Sequence, residues 1–378
     1  MSEHATVVDN ERIQKLLDPL LEPVQLGSMS LPNRFAMAPM TRNMSPGGVS
    51  NAENVAYYRA RAAGGTGLII TEGTYVDDPA AGPNTNVPRL GNAASDAGWR
   101  LVVEAVHAAG SAIVPQLWHL GASRGNTPEF NPDVPSRSPS GVNGNGEAVG
   151  VELTSESLDD VVAAFVAAAR SAKAIGFDGL ELHGAHGYLL DQFFWSATNR
   201  RSDAHGGSLG ARASFPAEVV RAVRAEVGPE FPIVYRYSQW KGGHYDASVA
   251  SSPAELAELL TPLVHAGVDV FHVSTRRHWL PGFAVSGRDA DLGLAGWTRK
   301  LTGLPTIAVG SVGVHTVFGG SGAEHATAVV DRIGLLHDQF ERGEFDVVAL
   351  GRALLADAEW VAKATNGRAD EVVTYRRA

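Results

Sequence analysis

The sequence contains no cysteine among its 378 residues. This absence excludes disulfide bonds, a cysteine nucleophile, cysteine-ligated zinc and iron–sulfur clusters. Long apolar runs are also missing, because the longest covers only Val161 to Ala169, between Asp160 and Arg170. A helix that spans a membrane needs about 20 apolar residues. The sequence therefore predicts a protein without a transmembrane helix.

An excess of basic residues is absent too. The chain has 31 Lys and Arg against 41 Asp and Glu, a formal net charge of −10, and no long blocks of like charge. This balance argues against nucleic-acid or anionic-membrane partners and favours a small-molecule partner. The N-terminus, "MSEHATVVDNERIQKLL", is polar and acidic where a secretory signal is basic and then apolar, so we expect a cytoplasmic protein.

Short β-branched or aliphatic runs recur along the chain, and each precedes a longer stretch of helical periodicity. The predicted strands cover residues 34–40, 67–73, 112–118, 179–184, 232–238, 268–274, 305–311 and 346–351. The predicted helices cover residues 51–64, 96–109, 157–175, 212–227, 253–266, 289–302, 323–342 and 356–365. Ser95–Asp96 and Ser251–Ser252–Pro253 are typical helix starts, and Gly176 and Gly267 are typical helix ends.

Eight alternating strands and helices predict an α/β fold, a single (β/α)8 TIM barrel over residues 18–365. An N-terminal extension (1–17) and a C-terminal tail (366–378) flank it. The main rival, an open doubly wound sheet, needs a glycine-rich phosphate loop after its first strand. "PMTRNMSPGG" lacks that spacing, and no strand precedes the glycine cluster at 141–150. Long loops after strands 3 and 4, residues 119–156 and 187–211, are expected to act as lids or binding loops.

Active sites of such barrels lie at the carboxyl ends of the strands. After the fourth strand come His183, His186 and Tyr188, in the run "LELHGAHGYLL". Two imidazole N–H groups directed at one oxygen would polarise a carbonyl, and a phenol with a pKa near ~10 would donate a proton. This interpretation favours reduction or isomerisation of an enone. Structural histidines and a metal site are the alternatives, although a metal usually needs a third ligand.

The seventh and eighth strands end with Gly310–Ser311 and Gly351–Arg352. Backbone N–H groups at these exits and the guanidinium of Arg352 suit a phosphate, whereas the alternative is that the glycines only permit tight turns.

Arg236 and Gln116 lie within predicted barrel strands. Since a buried unpaired cation costs several kcal/mol, Arg236 needs an anionic ligand or a salt bridge, for example to Glu181, Glu72 or Asp269. Gln116 is also compatible with a satisfied core amide.

The run "GFDGLELHGAHGYLLDQFF", followed by an N-x-R-x-D-x-x-GGS motif at residues 199–208, resembles the old yellow enzyme family of FMN-dependent ene-reductases. "LPNRFAMAPMTR", "YYRARAAGGTGLIITEG", "AVHAAGSAIVPQLWHLG" and "GRALLADAEW" resemble the same family in the same order. The resemblance covers about residues 18 to 365.

This resemblance implies that His183 and His186 bind the carbonyl oxygen of the substrate and that Tyr188 protonates its α-carbon. It implies a ping-pong reaction in which NAD(P)H reduces non-covalently bound FMN, and flavin N5 then gives a hydride to the β-carbon of an α,β-unsaturated carbonyl or nitro compound. No metal is implied. The implied FMN contacts are Pro39, Met40, Thr41, Gly73, Gln116, Arg236, Gly310, Ser311, Gly351 and Arg352.

Within that set, Thr41 is expected near flavin N5 and C4, Gln116 at the pyrimidine edge and Arg236 at N1 and O2, which explains a buried cation. The chain departs from the family at His205, where a tyrosine is common, and at Ala122, where many relatives have arginine.

The role of the loop 274–283 stays open, as do the physiological substrate, the choice between NADH and NADPH, and the oligomeric state, for which a homo-oligomer is one option. The absence of cysteine excludes the iron–sulfur branch of larger relatives. A flavin-free phosphate-binding lyase or isomerase would need a Schiff-base lysine or metal carboxylates at a strand end, and neither is found. A flavin protein without turnover is a third hypothesis.

Overall fold

The computed structural model describes residues 9–314 and 329–375. Eight parallel strands close into a barrel, which confirms the predicted fold. These barrel strands, β1 to β8, are Phe35–Met37, Leu68–Tyr75, Ala112–Trp118, Leu180–His186, Ile233–Lys241, Val270–Ser274, Thr306–Val309 and Val347–Leu350. Each strand pairs with the next along the chain, and β8 pairs with β1. All eight carboxyl ends therefore share one mouth.

Helices connect the strands and cover the outside of the barrel. The α-helices are Asn10–Leu17, Ala52–Ala63, Ala93–Ala108, Ser155–Ile175, Leu189–Phe194, Leu209–Arg212, Ser214–Val227, Pro253–Ala266, Leu294–Thr302, Val329–Glu341, Arg352–Ala356 and Trp360–Thr365. Short 3-10 helices are Asp18–Leu21, Pro46–Gly48, Gly121–Arg124 and Ala369–Glu371. In the part of the chain that the structure describes, no helix combines the length and the apolar character needed to cross a membrane.

Two apolar layers stabilise this arrangement. Small and branched side chains that alternate along the strands fill the barrel interior, among them Ala36, Ile70 and Val234, all fully buried. A hairpin of the strands Val24–Leu26 and Met29–Leu31 packs against this interior cluster. The alternate strand residues pack outward against the helices. Burial on both faces explains why the strands appear in the sequence as nearly continuous apolar runs.

Several predicted boundaries shift for local reasons. Asn92 rather than Ser95 caps the helix at Ala93, because its side chain accepts from the backbone N–H of Ser95. Ser252 caps the helix at Pro253 as predicted. Gly176 and Gly267 end their helices as predicted, and the structure shows both in the left-handed conformation.

The predicted last helix, residues 356–365, begins only at Trp360, and a separate short helix, Arg352–Ala356, precedes it. Asp357 lies between the two helices, and its carboxylate accepts from the backbone N–H groups of Glu359 and Val373. The first part of the predicted helix 323–342 lies outside the described residues.

Candidate active site

Two histidines and a tyrosine meet at the carboxyl end of β4. The ring centroids of His183 and His186 lie 5.1 Å apart, and that of Tyr188 lies 4.9 Å from His183 and 6.4 Å from His186. The indole of Trp118, at the end of β3, packs edge-on against Tyr188 at 4.9 Å and stacks on His183 at 6.0 Å. The structure thus brings the three predicted catalytic side chains together, beside an aromatic residue that the sequence analysis did not assign to the site.

Burial decides the protonation of this cluster. It lowers the pKa of both His183 and His186 well below the usual value, and the charge of Arg236 lowers them further. Each imidazole is therefore neutral at pH 7, with one N–H donor and one acceptor nitrogen. Burial raises the pKa of Tyr188, so its phenol stays protonated. The cluster can supply hydrogen-bond donors and one proton without a charged histidine.

A strained turn after β4 orients His186. Its φ of 64° lies in the left-handed region, which non-glycine residues rarely adopt. Its backbone N–H donates to Oγ of Ser238 at 2.9 Å, and the N–H of Gly187 donates to Oδ2 of Asp191 at 2.6 Å. Asp191 pairs at 2.8 Å with Lys241, and both side chains are fully buried. This buried ion pair, which the sequence analysis did not single out, stabilises the turn.

The imidazole ring of His186 is fixed from β5 and β6. The ring of Trp240 stacks on it with centroids 4.3 Å apart. Oγ of Ser274 lies 2.8 Å from Nε2 of His186, and the indole N–H of Trp240 donates to the backbone carbonyl of Ser274 at 3.1 Å. Nδ1 of His186 has no hydrogen-bond partner among the described residues and is not sealed from the surface.

Arg236 lies in β5 with only 6% of its surface exposed. Nη2 donates to Oγ of Ser274 at 3.4 Å, whereas Nε has no hydrogen-bond partner among residues 9–314 and 329–375. The negative charge of Glu181 raises the pKa of Arg236 and partly opposes the lowering by burial. Nε is sealed from the surface, whereas Nη1 has no hydrogen-bond partner among the described residues and is not sealed, so Nη1 is the end of this cation that a ligand at the mouth can reach.

The other two carboxylates that were candidate partners of Arg236 interact with other groups. Asp269 forms an ion pair with Arg224 at the opposite end of the strands. Glu72 accepts a hydrogen bond from the backbone N–H of Arg42 at 2.7 Å. Neither carboxylate therefore neutralises the cation in β5.

Gln116 in β3 has a satisfied amide. Its Nε2 donates to Oε1 of Glu181 at 2.7 Å, and Oε2 of Glu181 lies 2.6 Å from Nδ1 of His272. One N–H of Gln116 is thereby used inside the barrel, which leaves the carbonyl oxygen and the second N–H as the groups that can meet a ligand. The alternative of a core amide is thus correct for one end of this side chain.

The first two strands supply the predicted residues Pro39, Met40, Thr41 and Gly73. Thr41 is exposed, and Pro39 and Met40 are half-buried. A Cβ atom on Gly73 would lie 2.4 Å from a ring carbon of Trp118. This glycine therefore leaves room for the indole.

Arginines gather at the exits of β7 and β8. Nη2 of Arg352 lies 3.4 Å from Oγ of Ser311, a residue with a φ of 56°. The charge of Arg332 lowers the pKa of Arg352, and that of Arg277 lowers the pKa of Arg332, after burial as the larger cause in each case. Positive charge is therefore concentrated at these exits, where the sequence analysis predicts a phosphate.

The two glycines at these exits differ. A Cβ atom on Gly310 would lie 2.3 Å from Oγ1 of Thr275, so close packing alone requires glycine there. A Cβ atom on Gly351 would meet only Sδ of Met40 at 3.5 Å and a more distant methyl group, so packing does not require it. The structure thus brings Gly351 and Met40 together at the mouth.

The sequence model of the NADH:flavin oxidoreductase / NADH oxidase family matches residues 19–371. The chain belongs to this family. The match confirms the old yellow enzyme resemblance, and FMN is the cofactor of the family. The fold agrees with that of morphinone reductase in complex with tetrahydroNAD, with a TM-score of 0.75 and 29% identity over 92% of this chain and 91% of that chain.

Relatives in this family differ in length. A "NADH oxidase" of Thermoanaerobacter brockii is 34% identical over 92% of this chain, but the chain spans only 51% of that relative. A "Putative 12-oxophytodienoate reductase 2" of Oryza sativa subsp. japonica is 34% identical over 90% of this chain and 85% of the relative.

The family motif at residues 199–208 connects the two long loops of the chain. Arg201 donates to the backbone carbonyls of Pro139 and Leu153, both in the loop after β3. Asn199 donates to the carbonyls of Phe193 and His205. The motif therefore braces the loops that surround the mouth. The substitution at His205 keeps this brace, because only the backbone of that residue contacts Asn199.

The site also contains five residues that the sequence analysis did not assign to it: Trp118, Ser274, Trp240, Asp191 and Lys241. Ser274 was noted only as a strand end, and no local pattern marks its contact with His186. The loop 274–283, to which the sequence analysis gave no role, packs partly on the helix Leu294–Thr302, where the rings of Phe283 and Trp297 lie 5.9 Å apart. Among the described residues, no group of three or more His, Asp or Glu side chains could hold a metal ion.

Proposed function

We propose that this oxidoreductase reduces the activated C=C bond of α,β-unsaturated carbonyl or nitro compounds with electrons from NAD(P)H, by a ping-pong mechanism. The observation that carries the proposal is the convergence of two neutral imidazoles and a protonated phenol at one mouth. Hydrogen-bond donors directed at a carbonyl oxygen stabilise the negative charge that develops there during hydride addition.

The residues at the mouth fit FMN. Nη1 of Arg236 has no hydrogen-bond partner among the described residues, is not sealed from the surface and suits the electron-rich edge of an isoalloxazine. The free carbonyl of Gln116 suits the imide N–H of that ring. Arg352 and Ser311 suit the phosphate, with Gly310 and Gly351 beside them. Pro39, Met40, Thr41 and Gly73 are expected along the ring. When bound, FMN supplies the redox chemistry by taking a hydride from NAD(P)H and giving it from N5 to the alkene β-carbon.

The chain's own residues then position the substrate and move one proton. His183 and His186 hold the carbonyl oxygen with neutral N–H donors. Tyr188 donates its phenolic proton to the α-carbon, and its raised pKa keeps that proton available at neutral pH. Trp118 and Trp240 pack against these rings and limit their rotation.

Relatives that are named as reductases support the assignment, among them the 12-oxophytodienoate reductase of rice and morphinone reductase. The alkene that the chain reduces in the cell is part of the proposal only as a class. A cytoplasmic location, a possible homo-oligomer and the division into extension, barrel and tail stay predictions from the sequence.

The test is the visible absorption spectrum of the FMN-loaded protein under anaerobic conditions, as NADPH and then cyclohexenone are added. We expect the flavin band to bleach with NADPH and to return with the enone. A band that bleaches but does not return would overturn the assignment to general enones. Failure to bind FMN at all would overturn the cofactor contacts.

A further inference from the structure

Ser274 lies between two groups of the proposed site. Its Oγ is 2.8 Å from Nε2 of His186 and accepts from Nη2 of Arg236 at 3.4 Å. The side chain is 3% exposed, so bulk water does not compete for it. A single hydroxyl therefore contacts both the imidazole that faces the substrate and the buried cation.

The chemistry of the two neighbours fixes the direction of the hydroxyl proton. A guanidinium has only donors, so Oγ of Ser274 must act as an acceptor toward Arg236. The hydroxyl hydrogen then needs an acceptor. Among the described residues, the one group in hydrogen-bond contact with Oγ that has a lone pair to offer is Nε2 of His186. The hydroxyl satisfies its donor only if Nε2 carries no proton.

We propose that Ser274 is a positioning residue that holds neutral His186 in the tautomer protonated at Nδ1, so that Nδ1–H is the donor for the substrate oxygen. This inference rests on the proposed function for the identity of the oxygen, but not for the tautomer. Which nitrogen of a histidine carries the proton is set by the partner of the other nitrogen. Nδ1 is the nitrogen of His186 that no described residue occupies and that is not sealed from the surface.

The surroundings of His186 favour this fixed arrangement. Trp240 stacks on the ring, and Ser238 holds the backbone N–H, so the ring cannot easily turn to exchange its two nitrogens. Burial and the charge of Arg236 lower the pKa of His186, which keeps the ring neutral at pH 7. A neutral ring carries one proton, at either Nδ1 or Nε2. An Nε2–H tautomer would instead direct two donors and no acceptor at a buried hydroxyl, leaving its hydrogen unsatisfied.

The inference also assigns a task to each histidine. Nε2 of His183 has no partner among the described residues and is not sealed, whereas Nδ1 of His183 is buried. One N–H from each ring, Nε2–H of His183 and Nδ1–H of His186, is then available for a single oxygen. Loss of the correct tautomer at His186 would turn one donor into an acceptor that repels the carbonyl oxygen.

The direct test is a long-range 1H–15N correlation spectrum of the full chain with FMN bound and 15N-labelled histidine, recorded near pH 7. His186→Gln identifies the signals of His186. We expect a protonated-type 15N shift at Nδ1 and an unprotonated-type shift at Nε2. The opposite pattern in the wild-type chain would overturn the inference without any variant.

Variants separate the hydroxyl from general packing. Ser274→Ala should move the proton of His186 toward Nε2 and weaken binding of cyclohexenone about three- to tenfold, the usual effect of one hydrogen bond. Ser274→Thr keeps the hydroxyl and should restore both. Ser238→Ala is the matched control, because its hydroxyl contacts backbone atoms, the N–H of His186 and the carbonyl of Trp240, and not the imidazole, so it should leave the tautomer unchanged.

The two proposals fail in different ways. If the tautomer is as expected but the enone neither binds nor reoxidises the flavin, the proposed function is wrong and the role of Ser274 stands. If the enone is reduced but Ser274→Ala leaves the 15N pattern unchanged, the role of Ser274 is wrong.

Discussion

In the proposed function, two sides of the barrel mouth bind negatively charged groups in opposite ways. At the exits of β7 and β8, Arg352 and Arg332 stand close enough for their charges to oppose each other. At the exit of β4, His183 and His186 are neutral donors held by burial. A phosphate carries its charge permanently, so fixed cations suit it. A carbonyl oxygen gains charge only during reaction, so neutral preorganised donors suit it better.

Binding at the exit of β4, the neutral side, depends on the orientation of the donors. Binding at the exits of β7 and β8, the charged side, depends on the total positive charge. Neutral donors act at hydrogen-bond distance, so His186 needs the strained turn, the stacked Trp240 and Ser274. Guanidiniums attract an anion over a longer range and tolerate more movement. Variants on the neutral side should therefore change the rate of the reaction, and variants on the charged side should change affinity for the cofactor.

The largest effect is expected for Tyr188→Phe. The change removes the proton donor but keeps the ring that packs against Trp118. Loss of a general acid lowers rates by about 10²–10⁴-fold. Stopped-flow measurement should show that decrease in flavin reoxidation by cyclohexenone and little change in flavin reduction by NADPH. An equal loss in both half-reactions would contradict the role of Tyr188.

Asp191→Asn should be the most destabilising change at the mouth. It leaves the fully buried ammonium of Lys241 without its counterion and weakens the acceptor for the N–H of Gly187. Breaking one partner of a buried pair costs about 3–5 kcal/mol. Arg170→Gln is the control, because its pair with Glu226 is exposed and screened by solvent, so its loss should change stability far less.

Urea unfolding of the FMN-bound protein measures both changes. An Asp191→Asn variant as stable as the Arg170→Gln control would show that the turn at His186 does not depend on the buried pair.

On the charged side, Arg352→Gln should weaken FMN binding about 10- to 100-fold, since it removes a charged hydrogen-bond donor to a phosphate. Fluorescence titration of the apoprotein with FMN measures the dissociation constant. At saturating FMN, the rate of reoxidation by cyclohexenone should stay close to that of the wild type. A reduced rate with unchanged FMN affinity would reverse the assignment of the two sides.

The sequence predicted the barrel because its signals are local. Apolar runs mark the strands, and residues such as Gly176, Gly267 and Ser252 mark helix ends within a few positions. The cluster of His183, His186 and Tyr188 was predictable for the same reason, because one strand exit carries all three.

Contacts between strands were not predictable. Ser274 and His186 are 88 residues apart on β6 and β4, and only the register of both strands with β5, which lies between them, brings the two residues together. Gly73 shows that a residue singled out from the sequence can have a further structural reason that the sequence does not reveal. It was expected beside the flavin, and the structure shows that a Cβ atom there would strike Trp118, a constraint that no local pattern reveals.

The smallest predicted effect tests whether burial also controls ionisation at the exit of β2. Burial raises the pKa of Glu72 to about 7, although hydrogen bonds from Arg42 and Tyr58 favour the carboxylate. The folded state then binds this proton more tightly than the unfolded state, so the stabilisation is full below the unfolded pKa of about 4.5 and is lost as the pH rises through 7.

Glu72→Gln cannot titrate. Between pH 5 and pH 8 the wild type should lose up to about 2 kcal/mol relative to this variant, measured as the difference in urea unfolding free energy. If the unfolding free energies of the wild type and the variant change with pH in parallel, the hydrogen bonds offset the effect of burial on the pKa of Glu72. Burial would then control protonation only at His183, His186 and Tyr188.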